Sequence, residues 1–342
     1  MPPIPWFSRT VFLCALIGCP LVQGQTNNLR SGLGPASVAV VVNVRDPVSV
    51  EVGNYYFERH GIPAANLIHV DFKPGVSVMK PAEFKRLKQQ VDAQVSELVQ
   101  VFALTWVAPY RVGCMSITTA FAAGFAPTFC AKACRGTRMS PYFDSDSVEP
   151  FVDYGMRPAV IVGGSDLEST KRLIDRGVLA QGSHPNGTAY LVSTQDKARN
   201  VRAFFYQPVT TFLGKQVRVR TIEAQFLEGK DDVLFYFTGI KHVEKLATNR
   251  FVPGAIADHL TSAGGKLTDS SQMSVLKWID AGATGTYGTV VEPCNLLAKF
   301  PNPMIAMKRY LAGETLVEAY WKSVAMPGQG VFVGDPLSRP FN

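Results

Sequence analysis

The sequence predicts an α/β protein built from mostly parallel sheets flanked by helices. Three observations carry that prediction. Short, wholly apolar runs recur, as strands buried on both faces require: SVAVVVNV (37–44), PAVIVGG (158–164) and VLFYFTG (233–239). Segments of helical period alternate with them. Gly and Asp-Pro punctuate the boundaries. The 342 residues suffice for one large or two medium domains, and 46% hydrophobic against 18% charged residues excludes a disordered chain.

The elements follow in order. After the run at 37–44, Asp46-Pro47 breaks the strand and a helix begins, with Ser49 as its expected cap and Gly61 as its expected stop. NLIHVDF is the next strand. Phe84, Leu87, Val91, Val95, Leu98 and Phe102 recur at spacings of three and four and predict one long amphipathic helix, with ALTWVAPY (103–110) as a strand behind it. Residues 113–157 break the alternation. They hold Cys114, Cys130 and Cys134 among small and aromatic residues, and a loop of this length is usually functional or cross-linked. Alternation then resumes through LESTKRLIDRGVLAQ, TAYLVST, a helix into FFYQPVTTF, VRVRTI, SVLKWIDAGA and TGTYGTVV. A last helical stretch (304–324) is one helix or a pair broken at Gly313, and GVFVGDP closes the chain. The expected organisation is a signal peptide (1–24), a linker (25–36), an N-terminal α/β subdomain (37–155) with the cysteine loop, and a C-terminal α/β subdomain (156–342).

The N-terminus reads as an export signal. Arg9 precedes the apolar run VFLCALIG (11–18), which is too short to span a bilayer. Two processing readings stand side by side: cleavage after Gly24, or a lipobox at 16–19 that would leave an acylated Cys19 as the first mature residue. No later segment is long and apolar enough for a transmembrane helix. Export to the periplasm or beyond is the expected localisation. In that setting the four cysteines outside the signal, Cys114, Cys130, Cys134 and Cys294, predict two disulfides of open connectivity.

The net charge is +7; removing residues 1–24, which carry Arg9 and no acid, leaves +6. Basic residues are scattered and do not interleave with aromatics, so nucleic acid is not an expected partner. No cofactor fingerprint is complete; Gly163-Gly164 gives only a tight βα turn. Asn186-Gly187-Thr188 matches a glycosylation sequon by chance.

PYRVGC, PGAIADHLTSAGG, AGATGTYGTVVEPCN, EAYWKSV and GVFVGDPLSRPF resemble an uncharacterised family of exported bacterial proteins over nearly the whole mature chain. More distantly, the order of VLFYFTG, WIDAGATGTYGT and the terminal Gly334-Asp335-Pro336 resembles gingipain-like cysteine peptidases. That resemblance implies a caspase-like fold and a cleft at the strand ends lined by Thr238, Gly239, His259, Tyr287 and Glu292, with Arg111 as a further candidate. It also marks a departure. Those peptidases carry His-Gly where this chain has Thr238-Gly239, and a cysteine nucleophile where this chain reads VPGAIADHL. Asp335 would then only close the domain.

Each candidate residue has two readings. Cys294 is a relocated nucleophile, with His259 or His242 as base and Glu292 orienting the base, or it is half of a disulfide. Asp258 and His259 form an acid–base or binding pair, or Asp258 caps a helix; as strand neighbours they would point to opposite faces. Cys130-x3-Cys134 lacks a second ligand pair for zinc, and a disulfide hinge is the alternative. Asp144, Asp146, Glu149 and Asp153 lack a calcium-loop pattern and read as a solvated loop. Arg111, beside Tyr110, clamps an anion or makes a structural ion pair. No paired carboxylates point to a glycosidase. The function expected is a degenerate, non-peptidase protein that binds a peptide or cell-envelope ligand. The alternative is a cysteine hydrolase using Cys294 and His259.

Overall fold

The computed structural model describes residues 1–3 and 32–342. The signal peptide, both processing sites, Cys14, Cys19 and most of the linker lie outside the described residues.

The first crossover shows how local chemistry sets the elements. Strand β1 (Val38–Asn43) is buried at every position, as a Val run predicts. Asp46 caps helix α1 (Pro47–His60), its carboxylate accepting the Val48 amide, and Gly61 ends it with φ 61°. Asp46, rather than the expected Ser49, is the cap because Pro47 already fits the first helical position. Ser49 is turned inward instead, where it accepts the Asn43 amide and shares a 2.7 Å bond with Thr105 Oγ1. Strand β2 (Leu67–Val70) follows.

A two-residue strand β3 (Val78–Met79) precedes α2 (Pro81–Asp92), which buries Phe84, Leu87 and Val91. The helical spacing runs on to Phe102, but the helix does not. The Leu98 amide donates to Ser96 Oγ and the Gln100 amide to the Ser37 carbonyl, so the chain has already turned toward the sheet. Phe102 lies on β4 (Val101–Leu104). The short strands β5 (Arg111–Val112) and β6 (Met115–Ser116) lead into α3 (Ile117–Ala123). α4 (Pro150–Tyr154) and β7 (Ala159–Ile161) follow.

In the C-terminal portion come α5 (Leu167–Ala180), β8 (Thr188–Ser193), α6 (Tyr206–Leu213), β9 (Arg218–Glu223), β10 (Val233–Thr238) and β11 (Phe251–His259). They are followed by α7 (Leu276–Ala281), β12 (Gly285–Thr289), α8 (Pro303–Leu311), α9 (Leu316–Lys322) and β13 (Gly330–Gly334). The last helical stretch is thus a pair. Gly313 breaks it at φ +87°, and Thr315 restarts it through a capping box with Glu318.

The architecture is a mixed α/β fold with one large, mostly parallel sheet and one small sheet, flanked by helices. The large sheet has ten strands in the order β2-β1-β4-β7-β13-β12-β11-β10-β8-β9; the small one is β3-β5-β6. Every neighbouring pair in the large sheet is parallel except β12 with β13. Five strands therefore run one way and five the other, and their C-terminal ends lie at opposite edges. Strands β1, β2 and β4, expected in the subdomain 37–155, and the other seven, expected in 156–342, are hydrogen-bonded into one sheet, joined where β7 pairs with β4. α2, α3 and α7 fill one core with Phe84, Phe121 and Trp278; α1, α6, α8 and α9 fill the other with Tyr56, Val209, Met307 and Trp321.

Asp335, just past β13, ties the final strand to α1. Its Oδ1 accepts from Tyr56 Oη and the Leu337 amide, and its Oδ2 lies 2.7 Å from His60 Nε2.

Candidate functional site

The C-terminal ends of β8, β10, β11 and β12 share one edge, and sites in parallel sheets form at such edges. There, β11 continues through Asp258 and His259, so Asp258 does not cap a helix. Parallel pairing with β10 (Phe237↔Asp258, Thr238↔His259) holds both residues extended. Their side chains point to opposite faces of the sheet, as strand alternation requires.

Asp258 faces the core under α6 and α9, where it pairs with Arg202. Both side chains are about 1% exposed. Arg202 Nη2 also donates to the Thr238 carbonyl (2.6 Å) and to the Asp258 carbonyl (3.1 Å), and its guanidinium lies 5.2 Å from the Phe237 ring centre. Burial pushes the Asp258 carboxyl up and Arg202 pulls it back down. Burial likewise works against the charge on Arg202, and Asp258 more than offsets it, so the guanidinium stays charged. A pair this deep is fixed structure: removing either partner strands the other in the core.

His259 faces the opposite core and is 1% exposed. Its Nδ1 accepts the indole N–H of Trp278 at 3.0 Å. Burial, with the positive charge of Arg202 adding to it, lowers its pKa to about 3. The ring is neutral at physiological pH and has no solvent path. His242, the other candidate base, is exposed and lines a surface cavity with Lys277 and Asp280.

Cys294 follows β12 and is bonded to Cys134; Cys114 is bonded to Cys130. Both pairs have Cα atoms 5.3 Å apart. Cys130 and Cys134 thus pair outward to different partners, neither with each other nor around a metal. The cysteine loop is fastened to the end of β12. Cys294 in this state offers no thiolate, the form that attacks carbonyl carbon.

Glu292 does not orient a base. Its Oε1 accepts the Cys294 amide (3.0 Å) and its Oε2 meets Lys299 Nζ at 2.5 Å, with both side chains wholly buried. Tyr287 Oη donates to the Lys299 carbonyl (2.5 Å) from a buried position. Thr238 is buried, and the Gly239 carbonyl accepts from Thr194 Oγ1 (2.6 Å). A Cβ at Gly239 would sit 2.0 Å from the Arg199 carbonyl oxygen, so only glycine fits there. Arg111 is not part of this group. It lies on β5 in the small sheet, where Nε donates to the Gly113 carbonyl.

The residues expected to line an open cleft are instead buried on the two faces of the sheet, with Arg111 the one that lies elsewhere. Sequence reasoning missed Arg202, Lys299 and Trp278, which set the chemistry of this edge. For Arg202 and Lys299 the only sequence signal was a basic residue inside an apolar stretch, VRAFF and LLAKF. Asp144 and Asp146 are exposed and pair with Arg309 (2.9 and 2.6 Å). Among the described residues no group of three His, Cys, Asp or Glu could hold a metal ion, and no helix is long and apolar enough to cross a membrane. The two disulfides fit an exported protein.

Comparison with protein-family models, with curated proteins and with solved structures returned no match.

Proposed function

We propose that this is an exported bacterial protein that binds a peptide or cell-envelope ligand without hydrolysing it, a degenerate relative of the gingipain-like peptidases. One observation carries the reading: the Cys294 sulfur is bonded to Cys134 while the buried candidate base, His259, is sealed against Trp278. A covalent mechanism needs a thiolate and a base within reach of each other and of substrate. Thr238-Gly239, in place of the peptidases' His-Gly, supports the same reading. The periplasm or the exterior is the proposed compartment, with lipid anchoring at Cys19 as its membrane-attached variant.

The alternative, a hydrolase using Cys294, requires the Cys134 bond to open. Labelling the native, unreduced protein with a thiol-directed reagent separates the two. The binding reading expects no label at Cys294; stoichiometric labelling there, with peptide hydrolysis that is lost in Cys294→Ser, contradicts it.

A further inference from the structure

The loop that carries Cys130 and Cys134 roofs a partly open pocket, to which it contributes Phe129, Arg138, Ser140 and Pro141. The cavity has a volume of about 130 Å³. Phe129, Tyr154, Met156 and Trp321 supply its apolar wall, with Ser140 and Arg138 among its lining. This is close to the size of engineered protein cavities that take up benzene, roughly 150 Å³.

The cavity is held open by covalent and backbone ties. The Cys114–Cys130 and Cys134–Cys294 bonds brace the roof at two points. The Arg138 amide donates to the Thr128 carbonyl (2.9 Å), and the Ser140 amide to the Ala325 carbonyl (2.8 Å). Trp321 is immobilised from behind: it stacks on Phe332 at 4.3 Å, and its indole N–H donates to the Ala159 carbonyl. A preformed cavity saves the ordering cost that a collapsing loop would charge against binding.

Its polar groups are left available. Ser140 is 6% exposed, and its Oγ accepts from the Tyr142 amide, which leaves the hydroxyl proton free to donate. Arg138 is exposed and lies 5.4 Å from the Phe129 ring centre, with no carboxylate paired to it among the described residues. An aromatic-walled chamber with an unpaired guanidinium in its lining calls for a ring-sized apolar group joined by a short stem to a carboxylate. A fatty acyl chain is far too long for this volume.

We propose that the cavity binds the C-terminal residue of a peptide, taking a Leu- or Phe-sized side chain inside and its free carboxylate on Arg138 and Ser140. This rests on the binding reading above and gives it a ligand class.

The test is calorimetric titration of the disulfide-intact protein with N-acetyl-L-phenylalanine, N-acetyl-L-phenylalaninamide and free L-phenylalanine. The N-acetyl acid is expected to bind at least ~10-fold more tightly than the amide, as loss of one charge-assisted contact implies. Arg138→Gln, a change at an exposed position, should bring the acid down to the affinity of the amide and leave the amide unchanged. Equal binding of acid and amide, tighter binding of the free amino acid, or no binding of any of them at ~10 mM would overturn the proposal. Thiol labelling is independent of this result. An unlabelled Cys294 with no binding here removes the pocket assignment alone; a reactive Cys294 removes the binding reading itself.

Discussion

At the scale of single residues, burial decides the chemistry. His259 and Asp258 are neighbours in the chain, yet one accepts from an indole and the other pairs with a guanidinium. Alternation along a strand made their separation legible in the sequence. Their partners were not, because Arg202 and Trp278 reach them from distant segments. His259 yields a stability prediction. Its folded pKa of about 3 lies below the ordinary value near 6.5. Above pH 6.5 the ring is neutral in both states and contributes nothing to pH dependence. Below that, the unfolded chain takes up a proton that the folded one refuses, so stability falls by about 1.4 kcal/mol per pH unit until the folded ring titrates near 3. Urea unfolding at pH 7.5 and pH 5.0 should show wild type losing about 2 kcal/mol more than His259→Gln over that interval. Equal losses would mean that the ring is already charged or solvated in the folded protein.

At the scale of elements, composition marked the type of the longer strands and helices, tertiary pairing set where they end, and the short β3, β6, α3 and α4 went unread, the last three inside the stretch 113–157 expected to be a loop. The Val run of β1 and the Gly61 stop read directly, whereas at Gly313 the sequence left one helix or a pair open and the structure has the pair. The helix extended to Phe102 misread, because three-and-four spacing is blind to the pull of a neighbouring strand. The cysteine count predicted two bridges, but their connectivity depends on the loop folding back to the end of β12. That bridge, Cys134–Cys294, closes a loop with a sequence separation of 160. Replacing both cysteines by serine is expected to cost about 2–5 kcal/mol in denaturant unfolding. It should also weaken ligand uptake in the cavity beneath the loop, since the roof loses one of its two braces. Unchanged stability would show that the loop is held without that bond.

At the scale of the whole molecule, one reversal of direction shapes everything else. β12 and β13 run antiparallel in the middle of an otherwise parallel sheet. Two five-stranded sets are thereby joined into one continuous sheet with strand ends at both edges. Parallel pairing and flanking helices were legible from the apolar runs; this reversal was not, because nothing in GTYGT or GVFVG records which way its neighbour runs. The consequence for function is that the edge expected to be a cleft is filled, by Arg202, Asp258, Glu292 and Lys299, and stapled at Cys294.

That staple is the point on which the non-hydrolytic account turns. Proteolysis of the mature, alkylated but unreduced protein followed by mass mapping reads it directly. The account predicts one linked peptide pair containing Cys134 with Cys294 and another containing Cys114 with Cys130, and no alkylated Cys294. An alkylated, unlinked Cys294 in the native protein would contradict it.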